Sequence, residues 1–217
     1  MAERGPNRWF FDAWSRIYDL PFVQRAAYRP VHDAVLRALR ESRTRRVLDV
    51  GCGTGQLAAR IRAELPAASI VGCDFSTGML RRAAVRSDAI DWVGGDAARL
   101  PFRDGVFDAI VSTEAFHWFP DQDAALREIY RVLKPSGWLL LALVNTPTVL
   151  VSEAMHLGSR LVGEPFYWPT TAQMRRRVED AGFEVESQRR IFRLPGFLLP
   201  PVLTRAVRPQ VARRRRR

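Results

Sequence analysis

Short apolar runs alternate with helical stripes through most of this chain. Val47-Leu48-Asp49-Val50, Ser69 to Asp74, Ile90 to Asp96, Val106 to Ser112 and Trp138 to Val144 read as strands. Between them Leu57, Ala58, Ile61 and Leu65, then Met79 to Val85, then Ala125, Leu126, Ile129, Tyr130 and Leu133 recur at helical spacing. An earlier stripe of Val31, Ala34, Val35, Ala38 and Leu39 predicts a helix that covers the sheet. Strands that are apolar throughout are buried on both faces, and their alternation with helices predicts an α/β fold. The expected form is a single domain built on a doubly wound, mostly parallel sheet. Ligands in such sheets bind outside the carboxyl ends of the strands. Asp49, Asp74, Asp96 and Ser112-Thr113 are all expected there.

The first of these ends holds the densest information. After Asp49 come Gly51, Cys52, Gly53, Thr54 and Gly55, with glycines at every second position. Such a turn can bend sharply and brings no Cβ between backbone and ligand. The helix beginning near Thr54 points free N–H groups at the same place. Asp49 would repel a pyrophosphate but attract an ammonium or sulfonium. A nucleoside with a zwitterionic, cationic tail fits both halves of the turn. Asp74, 23 residues beyond Gly51, stands where doubly wound folds place an acid for ribose hydroxyls. A nicotinamide-dependent dehydrogenase would need glycine where Gln56 stands, which excludes its fingerprint.

The runs VLDVGCGTGQLA, IVGCDFSTGML, GDAARLPF, FDAIVSTEAFHWF and LREIYRVLKPSGWLLLALV resemble the class I S-adenosylmethionine-dependent methyltransferases (Rossmann-like). The nearest likeness is the type 11, ubiquinone/menaquinone C-methyltransferase-like small-molecule branch, over roughly residues 9 to 192. The resemblance implies S-adenosyl-L-methionine as cofactor, with Gly51, Cys52, Gly53 and Gly55 at its methionine part and Asp49 near the amino group. It further implies Asp74 on the ribose, Phe75 and Met79 flanking the adenine, Asp96 on the adenine amino group and the Ala97 backbone on a ring nitrogen. Thr113 would offer a carbonyl to the methionine ammonium. It also implies a lid over residues 1–43, carried by the aromatic run Trp9 to Asp19, ahead of a methyltransferase domain at 44–192.

Glu114 to Pro120 is expected to wall the acceptor pocket. His117 in it is a candidate base, although a pocket wall or backbone brace is the commoner role, and no catalytic residue is assigned. His32, His117 and His156 are scattered, so no metal site is expected. The two cysteines, Cys52 and Cys73, are expected as reduced thiols. With no apolar leader and no segment of transmembrane length, a cytoplasmic enzyme is expected.

Charge changes the picture at the far end. The chain carries a formal +11, and past Glu186 come ten arginines with no acid. Leu194 to Leu203 contains three prolines, which argue against the central strand that the resembled family places there. Residues 193–217 are therefore expected to form an apolar, then basic tail. Its apolar neighbours favour an anionic membrane surface over nucleic acid, since no stacking platform accompanies the arginines. A solvated end with no partner is the alternative. The acceptor is expected to be small and hydrophobic: a lipid, a quinone precursor or a secondary metabolite. A macromolecular acceptor held by the tail, or cofactor binding without turnover, are the other readings.

Overall fold

In helix α1 (Arg29–Glu41) proline occupies the first turn, where its missing N–H costs no hydrogen bond. Its buried Val31, Val35, Leu36 and Leu39 lie against Val47, Ala109, Leu140 and Leu203 of the sheet. The stripe expected to cover the sheet does so. The structure, a computed structural model, describes residues 28–42, 44–162, 166–191 and 200–210. The aromatic run Trp9 to Asp19 lies outside the described residues.

From α1 the chain alternates as expected: β1 (Arg46–Val50), α2 (Gln56–Glu64), β2 (Ser69–Asp74), α3 (Thr77–Arg86), β3 (Asp91–Gly94) and β4 (Phe107–Thr113). A 3₁₀ turn (Phe116–Trp118) leads to α4 (Gln122–Val132) and β5 (Leu133–Val144). Then come α5 (Val149–Val162), α6 (Thr171–Asp180), β6 (Glu184–Arg190) and β7 (Pro201–Val207). The seven strands lie in the order β3-β2-β1-β4-β5-β7-β6. The first five run parallel, whereas β7 is antiparallel to both β5 and β6. A second core covers the opposite face, where Leu126, Ile129 and Val132 of α4 and Met174 and Val178 of α6 meet Leu48, Ile110, Leu139 and Leu141. Burying each such side chain contributes about 1.5–3 kcal/mol.

The end of the chain corrects the expectation of a tail from residue 193. β7 is a central strand, hydrogen-bonded on both sides. Pro201 is its first residue, where a missing N–H interrupts least, and its carbonyl accepts from the Ile191 N–H at 2.8 Å. Val202, Leu203 and Ala206 are buried in the sheet and are not part of an exposed apolar patch. Two arginines of the basic series are structural. Arg205 pairs with Glu41 and Glu186 and lies over the Trp138 ring. The Arg208 guanidinium donates to the carbonyls of Tyr130, Arg131 and Leu133 and covers the Tyr130 ring. Arg213 to Arg217 lie outside the described residues.

Candidate active site

The carboxyl ends of β1, β2 and β4 converge on the glycine turn. The N–H groups of Gly51 and Cys52 both donate to the Cys73 carbonyl, at 2.8 and 3.2 Å, tying the turn to the end of β2. Gly51, Gly53 and Gly55 all have positive φ (71°, 54° and 76°), a region that favours glycine. Their surroundings differ. A Cβ on Gly51 would lie 2.5 Å from Ala115 Cβ, and one on Gly55 would lie 2.4 Å from the Trp92 ring. These two glycines allow close packing. A Cβ on Gly53 would meet nothing within 4 Å, so this glycine opens on free space.

Two carboxylates stand at the ends of the strands that meet at this turn. Asp49 is buried, and one of its oxygens has no hydrogen-bond partner. Burial first, and the Asp74 charge second, raise its pKa to about 7, against one N–H from Ala58. An orphaned, half-neutralised carboxyl is costly to bury unless a cation meets it. The Asp74 oxygens accept from the Gly53 and Ser76 N–H groups, each at 2.9 Å. Burial still raises the Asp74 pKa, opposed by those bonds. The arrangement fits a ligand with a cationic tail beside Gly53, as S-adenosylmethionine has.

The remaining predicted residues extend from these ends. Phe75 and Met79 follow β2, the latter a buried residue in the first turn of α3, whose cap Ser76 accepts from the Met79 N–H at 3.2 Å. Asp96 lies two residues past the last residue of β3, exposed, with one oxygen accepting from Ala98 N–H at 2.9 Å. Ala97 lies beside it. The charges of Asp74, Asp96 and Asp49 all bear on Cys73, which burial in the first place pushes up to about 12. Cys52 is likewise raised, chiefly by burial, so both thiols are protonated and free. Thr113 ends β4, and Glu114 after it adopts a φ of 51°, an uncommon conformation without glycine. That twist places Ala115 against Gly51.

The wall beyond β4 is more elaborate than the sequence suggested. His117 contacts Trp118 and Trp168, with ring centroids 5.1 Å apart in each pair. Phe166 closes the group, 5.3 Å from Trp118 and 4.7 Å from Trp168. The strap from Phe166 to Pro169 is held by its backbone. Tyr167 N–H donates to the His117 carbonyl, and Gln122, Asn145, Thr146 and Ser152 donate to the carbonyls of Tyr167, Trp168 and Pro169. Several buried polar atoms here have no partner: Ser112 Oγ, His117 Nδ1, Asn145 Oδ1 and Trp168 Nε1. Burial lowers the His117 pKa to about 3, so its ring is neutral. Ser112 stands at the strand end where the sequence placed it, whereas Asn145 and the hydrogen bonds that hold the strap were not read from sequence. The signal available was the aromatic Phe166-Tyr167-Trp168-Pro169 run, which has no period.

The parallel sheet, the glycine turn and the strand-end acids define a nucleoside-cofactor transferase fold. The family model described as "Methyltransferase domain" matches residues 48–141. A demethylmenaquinone methyltransferase of Mycolicibacterium vanbaalenii is 33% identical over 195 residues, covering 80% of this chain and 84% of that protein. One from Thermus thermophilus is 41% identical over 105 residues, 46% of this chain and 48% of that protein, so the match spans about half its length. Among solved structures, an S-adenosylmethionine-dependent methyltransferase of Thermotoga maritima superposes with a TM-score of 0.72 at 25% identity, covering 93% of this chain and 97% of that one. The chain belongs to the class I S-adenosylmethionine-dependent methyltransferases, type 11.

Proposed function

We propose that this protein transfers a methyl group from S-adenosylmethionine to a small hydrophobic acceptor of the quinol type. The carrying observation is the buried Asp49 carboxyl oxygen, without a partner, near the end of β1 and just before the glycine turn whose Gly53 opens on free space. In this reading Asp49 and the Thr113 carbonyl face the methionine ammonium, and the methionine chain passes over Gly53. Gly51, Cys52 and Gly55 shape the turn around it. Asp74 takes the ribose hydroxyls, Phe75 and Met79 enclose the adenine, and Asp96 with the Ala97 N–H meets its edge. The bound cofactor supplies an electrophilic methyl on its sulfonium, so orientation of the acceptor contributes much of the rate.

The acceptor lies in this reading against His117, Trp118 and Trp168. Aromatic walls suit a flat, apolar ring, and the neutral His117 Nδ1 can bond a ring hydroxyl. The names of the relatives support a quinone-type acceptor over a macromolecule. The test is to incubate the full chain with methyl-labelled cofactor and a reduced, prenylated naphthoquinone lacking the ring methyl. Label in the quinone fraction is the expected result. Label in RNA or protein, with none in the quinone, would overturn this assignment.

A further inference from the structure

Gly72 lies inside β2 without a positive φ, so its missing side chain serves space and not backbone conformation. A glycine in a strand interior often marks the close approach of another group. Here that group is the Trp92 indole. Trp92 and Gly72 are register partners on β3 and β2, and a Cβ on Gly72 would lie 2.4 Å from Trp92 Cζ3 and 2.5 Å from its Cε3. The indole crosses β2 at this gap and ends against Gly55, where a Cβ would lie 2.4 Å from Cη2 of the ring. Ala83 of α3 closes the same side, 3.1 Å from that position. A residue of the edge strand thus reaches the turn that follows β1, with β2 between them.

The same indole is fixed at its polar end. Trp92 Nε1–H donates to the Ser87 carbonyl at 2.9 Å, and Ser87 caps the end of α3. Arg86, the last residue of that helix, donates from Nε to the Thr54 carbonyl at 2.8 Å, from 32 residues away. The end of α3 therefore holds the turn twice, directly through Arg86 and indirectly through Trp92. Gly55 joins the turn to α2: its N–H donates to the Cys52 carbonyl at 3.0 Å, and its own carbonyl accepts from the Ala59 N–H at 2.9 Å. A turn with three glycines has many backbone states open to it, and ordering it at the moment of binding would cost affinity. Packing the indole on Gly55 removes that freedom before a ligand arrives, as supporting residues do for a preorganised site.

We propose that Trp92 and Arg86 are positioning residues for the cofactor: from outside its seat they hold Gly53-Thr54-Gly55 in the shape that S-adenosylmethionine binds. The proposal deepens the reading of this turn as the cofactor seat and rests on it. It gives a task in methyl transfer to an edge-strand tryptophan and an exposed arginine that supply no group to the cofactor themselves.

The experiment is calorimetric titration of S-adenosylhomocysteine into the full chain and its variants, well below the melting temperature of each, with amide hydrogen exchange followed in parallel. Trp92→Leu should bind at least tenfold more weakly. Trp92→Phe, which lacks the indole N–H and its reach, should bind severalfold more weakly and serves should the leucine variant not fold. Arg86→Ala should lose affinity severalfold, whereas Arg86→Lys, which can still donate to the Thr54 carbonyl, should stay close to the parent. In the free tryptophan variants the amides of residues 51–58 should exchange faster while those of β4 and β5 keep parental rates, and saturation with ligand should remove the difference. A merely structural role would lower the melting temperature and leave the affinity of the folded protein unchanged. That result overturns the inference, as does faster exchange spread evenly over the sheet. Equal losses in Arg86→Ala and Arg86→Lys would overturn the part given to Arg86. Asp74→Ala is titrated alongside. If it binds weakly while both tryptophan variants bind as the parent does, this inference falls and the cofactor seat stands; if Asp74→Ala binds as the parent does, the seat itself falls.

Discussion

The Gly53 N–H donates to the Asp74 carboxylate at 2.9 Å, joining the turn after β1 to the end of β2. The other Asp74 oxygen accepts from Ser76 at the start of α3. Asp74 thus holds together the ground on which a nucleoside would rest. Asp74→Ala leaves the backbone donors of Gly53 and Ser76 without that acceptor, and the unliganded protein should lose about 1–3 kcal/mol. Urea unfolding measures this directly.

The glycines of the turn should respond differently to substitution. Gly53→Val places its branches in open space at a strained φ, so the protein should fold, about 1–2 kcal/mol weaker, and fail to bind S-adenosylmethionine. Gly55→Ala drives a methyl into the Trp92 ring and should cost more stability than Gly53→Ala. Paired thermal melts and cofactor titrations separate the two cases.

Asp49 makes the unliganded protein pH-sensitive. Its folded pKa, near 7, is above its ordinary value of 3.8, so between these values the folded state holds the extra proton. Stability from this group is full below pH 4 and is lost as pH rises to about 7. Asp49→Asn keeps the size and discards the charge. The variant's stability relative to the parent should therefore grow from pH 4 to 7 and then level. If Asp49 faces the methionine ammonium as proposed, cofactor binding uses its charged form, so parent affinity should rise over pH 5.5–7.5 with proton release, seen by calorimetry in buffers of differing ionisation enthalpy. An affinity flat across that range would show that no cation meets Asp49.

The end of the chain divides sharply. Removing residues 200–217 deletes β7 between β5 and β6 and should abolish cooperative unfolding. Removing 211–217 leaves Arg208 bound to the carbonyls at the end of α4 and the start of β5 and should leave stability unchanged. Arg208→Ala should cost about 1–3 kcal/mol by exposing those acceptors to loss of their donor. Circular dichroism melts of the truncations and the variant test all three.

What the sequence disclosed followed the physics of buried parallel strands. β1, β2, β4 and β5 are apolar runs whose register puts the strand-end acids at one rim, and those residues could be read without coordinates. β7 could not. Its Thr204 and Arg205 interrupt the apolar pattern, yet Thr204 is fully buried with Gln188 donating to its hydroxyl, and Arg205 reaches Glu41 from 164 residues away. Partners so distant leave no local trace. Pro201 added a misleading signal, because a proline that stops a strand interior is harmless at its first residue. Part of α5 was hidden for a related reason: its buried Ser152 is satisfied by the Trp168 carbonyl of the strap, which sequence alone does not place nearby.

The most direct test of the cofactor seat is calorimetric titration of S-adenosylmethionine into the full chain and into Asp74→Ala. The parent should bind one equivalent, and the variant at least tenfold more weakly, since charge-assisted bonds to ribose hydroxyls are each worth about 1.5–3 kcal/mol. Equal affinity in the two proteins, or no binding by the parent, would contradict the account.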